Sequence, residues 1–340
     1  MLNPVAIFLL AMLSAWLLTG AVLRYAQRAL LDMPGERSSH QVPTPRGGGV
    51  SIVLVVLVGS VMSQSLADPW VTALLGAGGT VALVGFIDDH RHVPARWRLA
   101  THIVAAAAAI YWLGGPPGIS ALGVEISGGF WLWLPAIVFV VWMLNLYNFM
   151  DGIDGLAALQ ALTLSLGINA VLLIAGLPVS APMLLIAGAA AGFLIWNFPP
   201  ARIFMGDVGS GFLGVVFAIT ALFHTAIDPE LFWCWLILMA VFVTDASWTL
   251  VRRFQRGEAV FQAHRSHAYQ RAARALENHG YVSVAVALIN LVWLLSLALL
   301  VASGRLDGLI GAIIAYSPLL WLVYRLGGGL PDQVPVSLKR

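Results

Sequence analysis

The sequence predicts an all-α integral membrane protein of about ten or eleven transmembrane helices in a single domain, and three observations predict it. First, 60% of its 340 residues are hydrophobic and only 10% are charged, with a mean hydropathy of +0.88. A soluble domain carries about a quarter charged residues, and no globular core of this size could hide the apolar excess. Second, the apolar residues fall into runs near the roughly 20 residues that cross about 30 Å of hydrocarbon. Third, the basic residues alternate between connections in the way membrane topology requires.

The runs lie near 4–23, 49–66, 70–87, 99–114, 131–147, 156–176, 181–198, 210–227, 231–251, 282–303 and 308–326. The first has no basic residue ahead of it and no small-residue cleavage site before Arg24, so it reads as a span and not as a removable leader. The third ends at Asp88-Asp89. The fourth is short and reads as tilted or only partly in contact with lipid. The fifth leads into Asn145–Gly155 and the sixth leaves it. The eighth opens on Gly206–Gly211, and the ninth carries Asp245. Each is expected to be helical, because a helix satisfies every backbone amide within its own segment.

Eleven crossings place the connections near 24–48, 88–98, 148–155, 199–210 and 252–281, together with the C-terminus, on one side. Those segments hold 17 of the 18 Lys and Arg residues, and only Arg305 falls on the other. The positive-inside rule makes that side cytosolic and puts the N-terminus in the periplasm. The opposite connections, 115–129 among them, read as short turns. A net charge of +2 gives no ground for a nucleic-acid partner, and the lone Cys234 excludes an intramolecular disulfide. The whole of 1–340 reads as one polytopic membrane domain.

Ionisable groups at membrane depth mark function by default. Asp88, Asp89, Asp151, Asp154 and Asp207 all fall at the charged-side ends of spans. Carboxylates from three connections could converge on a divalent cation, and magnesium takes one or two carboxylates plus phosphate oxygens and waters. Around them lie Asn145-Leu-Tyr-Asn148-Phe-Met-Asp151-Gly-Ile-Asp154-Gly155 and Gly206-Asp207-Val-Gly-Ser-Gly211. A glycine-rich helix start offers free N–H groups and a favourable dipole to phosphate. Arg37-Ser-Ser-His40, with Arg46 beyond it, and His264-Arg265-Ser266-His267 supply the basic side of such a site. In isolation His264 and His267 read as a solvated helix face; zinc would need a third ligand that no nearby cysteine or histidine supplies. Arg252, Arg253 and Arg256 read as topology anchors. Asp245 reads as a structural or supporting acid that needs a basic neighbour, and His102, His224 and His279 carry no assigned role.

Taken in order, Asp-Asp, Asn-x-x-x-Asp-Gly-x-Asp-Gly, Gly-Asp-x-Gly-Ser and His-x-x-His make the chain resemble the polyprenyl-phosphate N-acetylhexosamine-1-phosphate transferases. That group includes phospho-MurNAc-pentapeptide translocase. The likeness runs from Asp32-Met-Pro-Gly-Glu-Arg-Ser-Ser-His40 to His267, and the Arg-Ser-Ser-His and Pro-Thr-Pro-Arg-Gly-Gly-Gly elements resemble the subgroup that primes O-antigen. The resemblance implies a cytosolic cleft in a bacterial inner-membrane enzyme that depends on magnesium, with manganese as a substitute. It implies a UDP-N-acetylhexosamine donor, undecaprenyl phosphate as acceptor, membrane lipid as surroundings and UMP as leaving group; a homodimer is compatible with it. It also implies that Asp207 and Asn148 serve the metal and that Asp88 and Asp89 act on the lipid phosphate. Asp151, Asp154, Arg37, His40, Arg46, His264, Arg265 and His267 would then meet substrate. His92 and Ser266 depart from the common pattern, which places a lysine or aspartate and a histidine there. An aromatic prenyltransferase would want a third acid after Asp88-Asp89. A CDP-alcohol phosphotransferase would want Ala-Arg where Asp151-Gly152 is followed by Ile-Asp-Gly, and a transporter would hold its polar groups near mid-membrane.

Overall fold

A computed structural model describes residues 3–33, 42–258 and 264–331. All eleven apolar runs are helical. They form α1 (Pro4–Ala29), α2 (Val50–Ser63), α3 (Pro69–His90), α4 (Ala95–Trp112), α5 (Trp133–Phe149), α6 (Leu156–Ile174), α7 (Ala181–Asn197) and α8 (Asp207–Ile227). The ninth run is two helices, α9 (Leu231–Leu238) and α10 (Ala240–Gln255). A short, largely buried helix α11 (Ala268–Leu276) follows, and then α12 (His279–Ala302) and α13 (Gly308–Arg325). Among the described residues, seven of these are long and apolar enough to cross a membrane alone, or eight if the bent α9–α10 pair is one span. The protein is a multi-pass integral membrane protein.

The remaining three runs, α2, α4 and α7, are helical but shorter or less apolar; α2, at 14 residues, reaches only about 21 Å. They still connect opposite faces, because the ends of their neighbours alternate. Asp89 at the end of α3, Asn148 at the end of α5 and Asp207 at the start of α8 meet at one face. Asn197 at the end of α7 meets the start of α6 there as well. Close packing is set by small residues, as expected where lipid removes the hydrophobic drive between helices. In the Gly188-x-x-x-Gly192 stripe of α7, added β-carbons would lie 2.3 Å from the Phe8 carbonyl oxygen and 2.2 Å from that of Met12 in α1.

Three local features depart from the sequence expectation. The ninth run bends by 68° at Met239 without a proline. The break is tolerated because Gln160 Nε2 donates to the freed Leu238 carbonyl at 3.1 Å, while Asn290 Nδ2 donates to Gln160 Oε1 at 2.6 Å. Helices α3 and α12 each contain one π-helical stretch, at Leu74–Gly78 and Ile289–Leu294. The 115–129 connection is more than a turn: β3 (Ile119–Ala121) and β4 (Val124–Ile126) pair antiparallel across Leu122-Gly123. A shorter pairing of two residues with two, β1 (Leu31–Asp32) with β2 (Thr44–Pro45), brackets residues 33–43.

Candidate active site

The helix ends on the basic face enclose a polar cavity of about 270 Å³, lined by Asp32, Arg46, Asp89, Asn148, Asp151–Asp154, Asn197, Phe204, Gly206, Asp207, Gln270 and His279. Its floor is the start of α8. Gly206 adopts φ +78°, and a β-carbon there would fall 2.6 Å from Asp89 Oδ2, so both the turn and the space require glycine. Gly85, one turn before Asp89, brings α3 against the Asp207 backbone; a β-carbon would sit 2.6 Å from its carbonyl oxygen.

That approach decides what Asp89 does. Its Oδ1 accepts the Asp207 N–H at 3.1 Å and its Oδ2 the Val208 N–H at 3.2 Å. The carboxylate therefore satisfies two of the orphan donors of α8 and faces the positive end of its dipole. Arg46 Nη2 donates to the Asp89 carbonyl at 2.6 Å, with its Nε 3.9 Å from the carboxylate. Asp89 is 3% exposed at its side chain, whereas Asp207 stays 36% exposed toward the cavity. Asn148 Nδ2 donates at 2.9 Å both to Asp207 Oδ1 and to Ser210 Oγ.

Asp88 makes a different set of contacts, beside the Asp207 carboxylate. Val93 N–H donates to it at 2.6 Å, and Arg98 bridges it to Asp207, reaching Asp207 Oδ2 at 3.0 Å. From sequence alone Arg98 counts only among the topology charges. Its position in the first turn of α4, just past the Asp-Asp pair, was the available signal. His92, the departure from the family pattern, is exposed, with Nδ1 3.9 Å from Asp88.

Asp151 carries the least compensated charge. Its carboxylate has no hydrogen bond or ion pair among the described residues. Burial first, and then the carboxylates of Asp207, Asp89 and Asp154, hold its carboxyl well above the usual carboxylate range. Asp154, by contrast, is engaged: Ala201 N–H donates to it at 3.0 Å and His279 Nδ1 lies 3.1 Å away. His279, given no role from sequence, thus lines the cavity and holds Asp154.

The histidine motif lies behind the cavity wall. His267 is 2% exposed, its Nδ1 is 3.3 Å from Asp245, and its ring stacks on His264 at 4.8 Å. Burial, with His267 and Arg253 alongside, pushes the His264 imidazole down to about 3. Ser266, in place of the family's histidine, shares a 3.1 Å hydrogen bond with His264 Nδ1. Arg265 is half-buried beside them. None of these three basic residues lines the cavity; Gln270 of α11 does. Arg37 and His40 lie outside the described residues. Arg252 and Arg256, expected to be topology anchors, also donate to the carbonyls of Gly328 and Gly329 beyond α13.

Among the described residues, no three Asp, Glu, His or Cys side chains form a ready metal cage. The donor set suits an ion that brings other ligands with it: an uncompensated carboxylate at Asp151, a partly open one at Asp207, and room between them. Magnesium, held by one or two carboxylates plus phosphate oxygens, fits.

The structure is that of a polytopic membrane protein with an acid-lined cavity at the basic ends of its helices. Residues 71–225 match the model of glycosyl transferase family 4. The chain is 27% identical over 308 residues to the "Probable undecaprenyl-phosphate N-acetylglucosaminyl 1-phosphate transferase" of Bacillus subtilis, covering 87% of this chain and 84% of that one. It is 29% identical over 323 residues to the decaprenyl-phosphate N-acetylglucosaminephosphotransferase of Mycobacterium tuberculosis, covering 82% and 78%. It is 30% identical over 267 residues to the phospho-N-acetylmuramoyl-pentapeptide-transferase of Chloroflexus aggregans, covering 67% and 70%. The chain belongs to glycosyl transferase family 4.

Proposed function

We propose that the protein transfers an N-acetylhexosamine-1-phosphate from a UDP-sugar to undecaprenyl phosphate, releasing UMP. The observation that carries this reading is the convergence of Asp89, Asn148, Asp151 and Asp207, from three separated stretches, on one cavity at the basic face. The relatives' names support a polyprenyl phosphate acceptor and a phosphosugar product. The concentration of Lys and Arg on the cavity side supports a cytosolic site in a bacterial inner membrane. The Arg37-Ser-Ser-His40 element supports the priming of O-antigen or a related surface polysaccharide.

Asp207 and Asp151 would hold the magnesium, with Asn148 keeping Asp207 in register by donating to it. Bound there, magnesium supplies positive charge for the donor diphosphate and for the departing UMP. The chain's own residues do the rest. Arg46, which lines the cavity, and Arg98, paired to Asp207, bring guanidinium groups to the place where one anion must approach another. The lipid phosphate, with a second pKa of about 6, is already largely ionised and needs little help from a base. One of its oxygens attacks the sugar-bearing phosphorus; that P–O bond forms as the bond to UMP breaks, and no protein adduct intervenes. Asp88 and Asp89 serve this step by holding Arg98 and the α8 start, which places Asp207.

The test is UMP release by purified protein offered undecaprenyl phosphate, magnesium and a panel of UDP-N-acetylhexosamines. Release with at least one donor, dependent on the lipid, is expected. Well-folded protein silent with every donor would sink the reading, and a labelled protein adduct formed from donor alone would replace single with double displacement.

A further inference from the structure

Asp245 lies within α10 with 2% of its surface exposed, and such an acid is costly unless fully hydrogen-bonded. It is satisfied almost entirely by a segment more than twenty residues further on. Its Oδ1 accepts from Ala268 N–H at 2.9 Å, from His267 Nδ1 at 3.3 Å and from Thr249 Oγ1 at 3.1 Å; its Oδ2 accepts from Tyr269 N–H at 2.8 Å. Ala268 and Tyr269 are the first two residues of α11, so the carboxylate caps that helix from outside and meets the positive end of its dipole.

What α11 carries gives the cap its significance. Tyr269 Oη donates to the Phe149 carbonyl at 2.8 Å, next to Asn148. A β-carbon on Gly152 would lie 2.2 Å from that hydroxyl and 2.8 Å from Gln270 Nε2, so α11 rests on the turn bearing Asp151 with no room for a methyl group. Gln270 lines the 270 Å³ cavity itself, and its Oε1 accepts the His267 N–H at 3.4 Å. Ala273 and Arg274, one turn on, line an adjoining cavity of about 710 Å³ that shares Asp154, Phe204 and His279 with the first.

We propose that Asp245 is a positioning residue for the transfer reaction: through His267 and the capped start of α11 it fixes Gln270 and the wall against which the donor binds. The proposal rests on the reading that this cavity is the transfer site. A merely structural acid would alter thermal stability and the active fraction, leaving donor affinity untouched.

The experiment measures KM for the UDP-sugar and kcat by UMP release, with melting temperature in detergent, for wild type, Asp245→Asn, Gln270→Ala and the double variant. Asp245→Asn turns one acceptor oxygen into a donor facing an N–H. It is expected to raise KM about tenfold while kcat falls less than threefold. In the Gln270→Ala background it should add less than a twofold rise, because both changes act on one wall. An unchanged KM with a lowered melting temperature, or effects that multiply in the double variant, overturns the proposal. Should Asp245→Asn not fold, Thr249→Val removes one donor from the same carboxylate and is expected to raise KM two- to fivefold; an unchanged KM there overturns it equally. Wild-type protein that releases no UMP from any donor refutes the functional reading instead, so the two failures are told apart.

Discussion

Asp89→Asn separates two accounts of the paired aspartates. If Asp89 acts by position, its work is to accept the Asp207 and Val208 N–H groups at 3.1 and 3.2 Å and so hold the α8 start. The amide keeps one acceptor oxygen and turns an NH₂ toward the other N–H. A hydrogen bond to a charged group contributes about 1.5–3 kcal/mol, and a carboxylate at a helix N-terminus about 0.3–2 kcal/mol. A loss of roughly 2–4 kcal/mol, expressed wholly in turnover, lowers kcat by about 30- to 1000-fold. The assay is UMP release at saturating donor and acceptor between pH 6 and 9. Misplacement predicts the same fractional loss throughout, because raising the pH cannot restore the geometry. A missing base predicts recovery toward the wild-type rate as the lipid phosphate ionises fully above its second pKa of about 6. Recovery at pH 9, or near-normal kcat at any pH, refutes the positional account.

Other expected outcomes follow from the same geometry. Asp207→Asn should abolish UMP release in protein that still melts cooperatively in detergent; near-normal activity with magnesium would remove Asp207 from the metal. Arg98→Ala leaves Asp88 and Asp207 without their shared guanidinium and should cost about 10²–10³-fold in kcat, partly restored by Arg98→Lys; activity within twofold of wild type defeats that role. His267→Ala should chiefly raise KM for the UDP-sugar, since it loosens α11 and not the acids, and a pure kcat effect would reverse the assignment. Asp151 carries a folded-state pKa raised by burial and neighbouring acids, so its contribution to stability is present at low pH and lost as pH climbs through that raised value. Asp151→Asn, without divalent cations, should therefore melt higher than wild type at pH 8, with the gap closing toward pH 4. Equal melting temperatures at pH 8 would contradict it.

Much of the fold was legible because lipid leaves the chain few choices. Eleven apolar runs became helices since no other local structure satisfies their amides, and the alternation of Lys and Arg anticipated which ends would meet. Local pattern could not reveal the 68° bend at Met239. That bend depends on Gln160, some eighty residues away, taking up a freed carbonyl. Nor does local pattern reveal the Ile119–Ile126 hairpin, because three-residue strands leave almost no periodic trace.

For the site, residue chemistry announced the acids, since a carboxylate at membrane depth is too costly to be idle. Asp89, Asp151 and Asp207 were therefore visible from sequence as a group. Their division of labour was not. Asp89 is committed to two backbone amides, Asp154 to His279 and the Ala201 amide, and Asp151 to nothing among the described residues. In the sequence Arg98 counts only as a topology charge, His279 carries no assigned role and Gln270 gives no signal at all. They reach the site only because α4, α11 and α12 begin beside it. Sequence by itself determined the solvent this protein folds in, the helices that solvent demands and the acids whose cost demands a use. Which oxygen meets which donor was left to the tertiary structure, because hydrogen bonds act over about 3 Å and these partners are separated by tens of residues along the chain.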